Sequence, residues 1–403
     1  MISIKGLCAI LGIPLAMLVA ALRTVLFGGW LRKYRNSPLN MAKLLMAKQA
    51  LEVPVPDAKY VVPVSNMTMI NTIVGGLFKT VTSSIPGYGK RYDENGIWIA
   101  QPPMATGSDP LIIYLHGGGY FLQTTPSQLQ SLIATYKLLG RNDVSIIHLD
   151  YDLASEGFTI PRQLDQLVAL YTKLVADGYT NITLMGDLAG GNLAIAFMAH
   201  LHRTQLKLPP PANLVLISPW VKLTIPKSQF TPGNLFYDND GRDMITYTGF
   251  ADPLKIVAIT GNSEIASLEC SPGNHPYSYD HWNLPSLTKG NTFVICGEDE
   301  VFRDDVLEWA KYALRAPMYD NKKQLGNSGG KLDRSIHEFH RTTPEGGKIE
   351  VHIEPWGVHD ACLIFENSLL RDIKRNPQLK FRDVDREKYF GLTRLVAFLD
   401  QVL

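Results

Sequence analysis

Neither sign of charge dominates this sequence. Its 39 Lys and Arg stand against 38 Asp and Glu, a formal net charge of +1 at pH 7. An electrostatic footprint for nucleic acid or another polyanion needs a basic excess, so no nucleic acid is expected and the partner is an uncharged molecule. Cysteine is scarce as well. The 403 residues hold four, Cys8, Cys270, Cys296 and Cys362. They are too scattered for a zinc pattern and too few for a disulfide-stapled scaffold, and buried free thiols are expected. No internal repeat is present, which excludes solenoids and propellers.

What the amino terminus lacks is charge. From Gly6 to Leu22 the run is uninterrupted, and after Arg23 it resumes from Thr24 to Trp30 before Arg32, Lys33 and Arg35 close it. That is the length of a bilayer span, and Pro14 is tolerable within it. A cleaved signal peptide with Val19-Ala20-Ala21 as its cleavage site and a helix buried in a soluble fold are the competing readings. Because the apolar run continues past that site, residues 1–31 are expected to be an uncleaved membrane anchor. The basic residues on its carboxyl-terminal flank would leave the body in the cytosol.

Residues 32–105 form a linker and lid region, with helical periodicity over 41–51 and a strand over 97–100. From residue 110 onward short apolar runs alternate with helix-length amphipathic stretches, which predicts an α/β domain, residues 106–403, with a mostly parallel sheet and helices on both faces. Strands are expected over 111–116, 145–150, 182–187, 214–219, 292–297 and 349–354. Helices are expected over 127–139, 162–177, 190–203, 304–315 and 387–403. Two segments break the alternation. Residues 221–284, rich in Pro, Gly, Tyr and Asn, read as an insertion over the carboxyl ends of the strands, a lid. Residues 319–348 read as a polar, mobile surface loop.

Chemistry concentrates at four strand ends. His116-Gly117-Gly118-Gly119-Tyr120 follows the first core strand, where successive glycines can expose backbone N–H groups able to stabilise an oxyanion. Gly186-Asp187-Leu188-Ala189-Gly190-Gly191 lies between a strand and a helix, the context of a nucleophile elbow, Gly-x-Ser-x-Gly. Gly186 and Gly190 hold the glycine positions, and Leu188 stands where the serine belongs. Glu300 follows the strand over 292–297 and His359 the strand over 349–354, the order nucleophile, acid, histidine of an α/β-hydrolase. His359 would act as base and Glu300 would orient it. Asp299 and Asp304 are rival acids, and Asp252 is a decoy because no strand precedes it. Singly, a histidine in a loop or an acidic run at a helix start is ordinary; the joint order and spacing carry the assignment.

With those residues in hand, the chain resembles the hormone-sensitive-lipase-like branch of the α/β-hydrolases, and within it the fungal steryl acetyl hydrolases. The matching pieces are His116–Tyr120, Asp150-Tyr151 with Leu153-Ala154 and Glu156, Gly186–Gly191, Ile217-Ser218-Pro219-Trp220, Leu284-Pro285, Glu300 to Asp305 and Gly357 to Asp360. The resemblance implies hydrolysis of short acyl esters of a lipophilic alcohol such as a sterol, with no metal or organic cofactor, and an oxyanion held by the N–H groups of Gly118, Gly119 and Ala189. It also implies one membrane span in the endoplasmic reticulum with a lumenal catalytic domain, against the charge count above. On that topology the sequon Asn66-Met67-Thr68 would report lumenal exposure, whereas Asn181-Ile182-Thr183 enters a core strand and would stay unmodified. Asp152 and Ser155 depart from the broader family, which has arginine and proline there, and the loop before His359 is longer than usual.

Leucine has no lone pair with which to attack a carbonyl, so the chain as written is expected to be nearly inert. Three readings of Leu188 compete. The chain is a pseudoenzyme that binds a sterol or lipid ester without turning it over; it carries an inactivating substitution; or the working protein carries serine, because some yeasts decode CUG as serine. The intact surroundings of position 188 favour the last two over the first.

Overall fold

The computed structural model describes residues 2–204, 206–274, 282, 284, 287 and 289–403. Pro285 of the Leu284-Pro285 match, and residues 275–281 and 283 of the expected insertion, lie outside the described residues. The centre is an eight-stranded sheet: β1 (Gly96–Ala100), β2 (Leu111–Leu115), β3 (Ser145–Leu149), β4 (Ile182–Asp187), β5 (Asn213–Ile217), β6 (Asn291–Gly297), β7 (Glu338–Thr342) and β8 (Lys348–Glu354). The spatial order is β1-β3-β2-β4-β5-β6-β8-β7. β3, β2, β4, β5, β6 and β8 run parallel. The edge strands β1 and β7 are antiparallel to their neighbours.

The interior strands are apolar on both faces, as Leu-Ile-Ile-Tyr-Leu in β2 and Asn-Leu-Val-Leu-Ile in β5, because helices cover both sides. The longer helices are α1 (Ile4–Phe27), α2 (Pro38–Glu52), α3 (Pro126–Leu139), α4 (Arg162–Ala176), α5 (Ala189–Thr204), α6 (Pro253–Thr260), α7 (Arg303–Leu314), α8 (Ser368–Arg375) and α9 (Phe390–Val402). Local chemistry sets their ends. α3 opens on a capping box of Thr125 and Gln128 with Pro126 in its first turn and stops at Gly140, which takes a left-handed conformation.

The segment read as a polar loop, residues 319–348, is a correction. It includes most of the helical turn Pro317–Gln324, the turn Arg334–His337 and the edge strand β7. The polar run Glu-Phe-His-Arg-Thr shows no apolar alternation, yet an edge strand needs only one neighbour, and β8 supplies it.

The segment after β5 lies over the carboxyl ends of β6 and β8. Asp243 reaches the loops that follow both strands. The end of α2 joins that cover: Lys255 Nζ donates to the Leu51 carbonyl, and Thr246 Oγ1 donates to Glu52 Oε1 at 3.1 Å. α1, with 24 residues, is roughly 36 Å long and is, among the described residues, the helix long and apolar enough to cross a membrane. It packs through a narrow edge, Gly6, Ile13, Ala20 and Thr24, and exposes Leu11, Leu15, Leu18, Leu22, Val25 and Leu26.

The sequon at Asn66 requires a second correction. Asn66 is 1 % exposed, its Nδ2 donates to Asp150 Oδ1 at 2.9 Å, and its Oδ1 accepts from the Thr124 N–H. A glycan on a side chain bonded on both atoms in the interior has no room in this fold, so the folded protein does not present Asn66 as a surface sequon.

Candidate active site

β4 ends at Asp187 and α5 begins at Ala189, leaving a single residue to turn the chain. That residue is Leu188, at φ 47° and 2 % exposed. A non-glycine residue at positive φ is strained, and such strain is the mark of an elbow that projects one side chain from the end of a sheet. The bend is pinned on both sides. Leu188 N–H donates to the Ile217 carbonyl at 3.1 Å, and the Leu188 carbonyl accepts from Trp220 N–H at 2.9 Å. The flanking glycines are required by space: a Cβ on Gly186 would sit 2.3 Å from the Gly190 carbonyl, and one on Gly190 would sit 1.9 Å from the Leu115 carbonyl oxygen.

Glu300 and His359 meet as expected. Glu300 Oε1 lies 2.8 Å from His359 Nδ1, and both residues are fully buried. The second carboxylate oxygen accepts from Ser218 Oγ and from Gly297 N–H, each at 2.8 Å. Ser218 Oγ in turn accepts from the Asp360 N–H at 3.1 Å. Asp243 holds both loops from above, its two oxygens accepting from the N–H groups of Val301 at 2.9 Å and His359 at 3.0 Å. The rival acids point elsewhere. Asp299 pairs with Arg32, Asp304 with Arg303 and Lys322, and Asp252 caps α6 by accepting from Leu254 N–H.

With Nδ1 committed to Glu300, the working face of the ring is Nε2. That atom is buried and has no hydrogen-bond partner; Asp360 Oδ2 is 3.4 Å away. Burial works against a charged ring, but the facing carboxylates of Asp360, Glu300 and Asp243 outweigh it and raise the His359 pKa above its ordinary value. Burial pushes the Asp360 carboxyl itself well above the usual range. Glu300 and Asp243 face the ring whichever form Asp360 takes, so the upward direction for His359 stands. Phe302 packs edge-on against the ring, and Trp220 and Phe250 extend that aromatic wall.

The turn after β2 supplies donors. Gly118 has φ 113°, Gly119 φ 62° and Tyr120 φ 66°. The chain curls back so that the N–H groups of Phe121 and Leu122 bond the Gly118 carbonyl. Among the described residues, the N–H groups of Gly118, Gly119 and Ala189 have no acceptor, while Gly117 packs against Asp187, whose Oδ2 would lie 2.2 Å from an added Cβ. His116 is a buttress: it stacks on Tyr151 with ring centroids 4.1 Å apart, and burial holds its pKa near about 3. Asp187 is likewise internal, accepting from Tyr114 Oη and Gln128 Nε2, each at 2.7 Å.

β2, β4, β6 and β8 are parallel members of one sheet, so the loops that follow them leave the same edge of it, and among the residues expected from the sequence Glu300 and His359 are in direct contact. Reading the sequence missed the supports. Ser218 had a signal, since it lies in a matched stretch at the end of β5 and adopts φ 43°. Asp243 had none, because it sits in a segment without periodicity.

A family model described as steryl acetyl hydrolase matches residues 87–336 of this chain. A Schizosaccharomyces pombe protein provisionally named steryl acetyl hydrolase mug81 is 31% identical over 290 residues, covering 68% of this chain and 73% of that protein. Steryl acetyl hydrolase 1 of Saccharomyces cerevisiae is 30% identical over 121 residues, 29% of this chain and 28% of that protein. Among solved structures, an esterase from the bacterial hormone-sensitive lipase family superposes with a TM-score of 0.55 at 19% identity, covering 89% of this chain and 96% of that one. At that identity the superposition speaks for the α/β-hydrolase fold.

Proposed function

Because this chain belongs to the steryl acetyl hydrolase family, we propose that its site is built to hydrolyse an acetyl or other short acyl ester of a lipophilic alcohol such as a sterol, and that Leu188 leaves the chain as written nearly without turnover. In this reading a serine at position 188 attacks the acyl carbonyl. His359 Nε2 takes the serine proton and returns it to the departing alcohol, and Glu300 holds the ring so that Nε2 faces the nucleophile. The N–H groups of Gly118, Gly119 and Ala189 receive the oxyanion. Water, activated by the same ring, then releases the acid.

The observation that carries the proposal is a fully buried His359 whose Nδ1 is tied to Glu300 and whose Nε2, 3.4 Å from Asp360 Oδ2, makes no hydrogen bond. A buried polar atom without a hydrogen bond costs about 1–3 kcal/mol, and in this reading the hydroxyl of a serine at the elbow supplies that bond. The aromatic wall of Trp220, Phe250 and Phe302 suits an apolar substrate. In this reading α1 delivers the site to a membrane surface, that of the endoplasmic reticulum, with the body on the lumenal side. The test is product analysis with a steryl acetate: the Leu188→Ser chain should release free sterol and acetate, and the unaltered chain should not. If a folded Leu188→Ser chain binds the ester but releases neither, the protein is a lipid-binding pseudoenzyme.

A further inference from the structure

The edge hairpin carries a second cluster that the ester chemistry does not use. β7 contains Glu338-Phe339-His340 and β8 contains Glu350-Val351-His352, the same Glu-x-His triplet on both strands. Residues two apart share a face of a strand, and the antiparallel register sets His340 opposite Glu350 and Glu338 opposite His352. The four side chains therefore gather on one face. Ligating atoms of His340, Glu350 and His352 lie within 4.8 Å of one another. His352 Nε2 is 3.1 Å from Glu350 Oε2, and His340 Nδ1 is 3.7 Å from Glu350 Oε1.

We propose that His340, Glu350 and His352 bind one divalent transition-metal ion, with Zn2+ the fitting occupant. Two imidazoles and a carboxylate are a donor set that zinc accepts at about 2.0–2.2 Å, which places ligand atoms roughly 3.4 Å apart in a tetrahedral site. Two of the spacings already bracket that value, and the exposed ring of His340 can move to close the third. His352 is 2 % exposed, and its Nδ1 has no hydrogen-bond partner. That atom faces Glu338 Oε1 at 3.9 Å. Metal on Nε2 would leave Nδ1–H aimed at a carboxylate, the arrangement that orients metal-bound histidines. Glu338 is itself fixed by Arg394, 2.6 Å away, which also neutralises that nearby positive charge. The site opens on a cleft of about 1300 Å³, leaving the fourth position to water. Bound metal would fasten the outermost strand β7 to β8, whose far end leads to His359.

Zinc titration calorimetry on the full chain in detergent, after chelator treatment, tests this without reference to ester turnover. One ion per chain should bind, and His340→Ala and Glu350→Gln should each weaken it at least tenfold, while His202→Ala, outside the cluster, should not. Co2+ in place of zinc should give visible absorption bands that the same two variants remove. His340 is exposed, so its replacement leaves the fold intact, which circular dichroism would check. Absence of uptake, or uptake that survives both variants, overturns the proposal.

Discussion

At the level of single residues, position 300 is where three acids compete for one role. Asp299, Glu300 and Asp304 belong to an acidic run that the sequence cannot order on its own. The structure separates them by partner: Arg32 takes Asp299, Arg303 takes Asp304, and His359 takes Glu300. In a Leu188→Ser background, Glu300→Gln should lower kcat by about 10⁴, in line with loss of the orienting carboxylate in other triads, whereas Asp299→Asn should leave kcat within a few-fold. The His359 environment also makes a pH prediction. Its folded pKa is raised above the roughly 6.5 of an unfolded histidine, so its contribution to stability is complete below pH 6.5 and is lost as pH rises through the folded value. Urea unfolding across that window should show a decline that His359→Gln flattens. Glycines 118, 119, 186 and 190 were legible because close backbone approach demands them. Asp243 was illegible because its role, accepting from the N–H groups of Val301 and His359, depends on a chain path that no local pattern encodes.

Among elements, the parallel strands were readable nearly to the residue, since a strand buried on both faces is a short apolar run. β4 was expected over 182–187 and occupies Ile182–Asp187. β7 was hidden for the opposite reason: at the sheet edge, Glu338, His340, Arg341 and Thr342 can stay polar. The cover over the site depends on a clamp between elements, and it can be tested. Asp243→Ala removes the acceptor for two buried N–H groups and should cost at least about 2 kcal/mol in denaturant unfolding, with a loss of turnover in the Leu188→Ser background. An unchanged unfolding midpoint would mean that the cover does not hold the loops bearing Glu300 and His359.

For the whole molecule, the long apolar helix was legible from composition, but its seating was not. α1 lies against the body through Gly6, where an added Cβ would meet Asp57 Oδ2 at 2.3 Å, and the Ser3 N–H bonds Asp57 Oδ1 at 2.9 Å. If α1, whose other face exposes leucines, is the proposed anchor, the full chain should float with liposomes on a density gradient and a chain lacking residues 1–27 should not. Compartment is a separate matter. Because Asn66 is interior and bonded, Asn66→Gln should leave gel mobility unchanged even when the body is directed to a glycosylating lumen; a faster-migrating variant would show that this residue is exposed and modified. The central claim is that position 188 lacks only a hydroxyl in an otherwise assembled site. The measurement that meets it most directly is the rate of p-nitrophenyl acetate hydrolysis by the folded chain before and after Leu188→Ser. The account predicts a rise approaching about 10⁶, accompanied by stoichiometric labelling of position 188 by an organophosphonate. Equal rates for the two folded chains would contradict it.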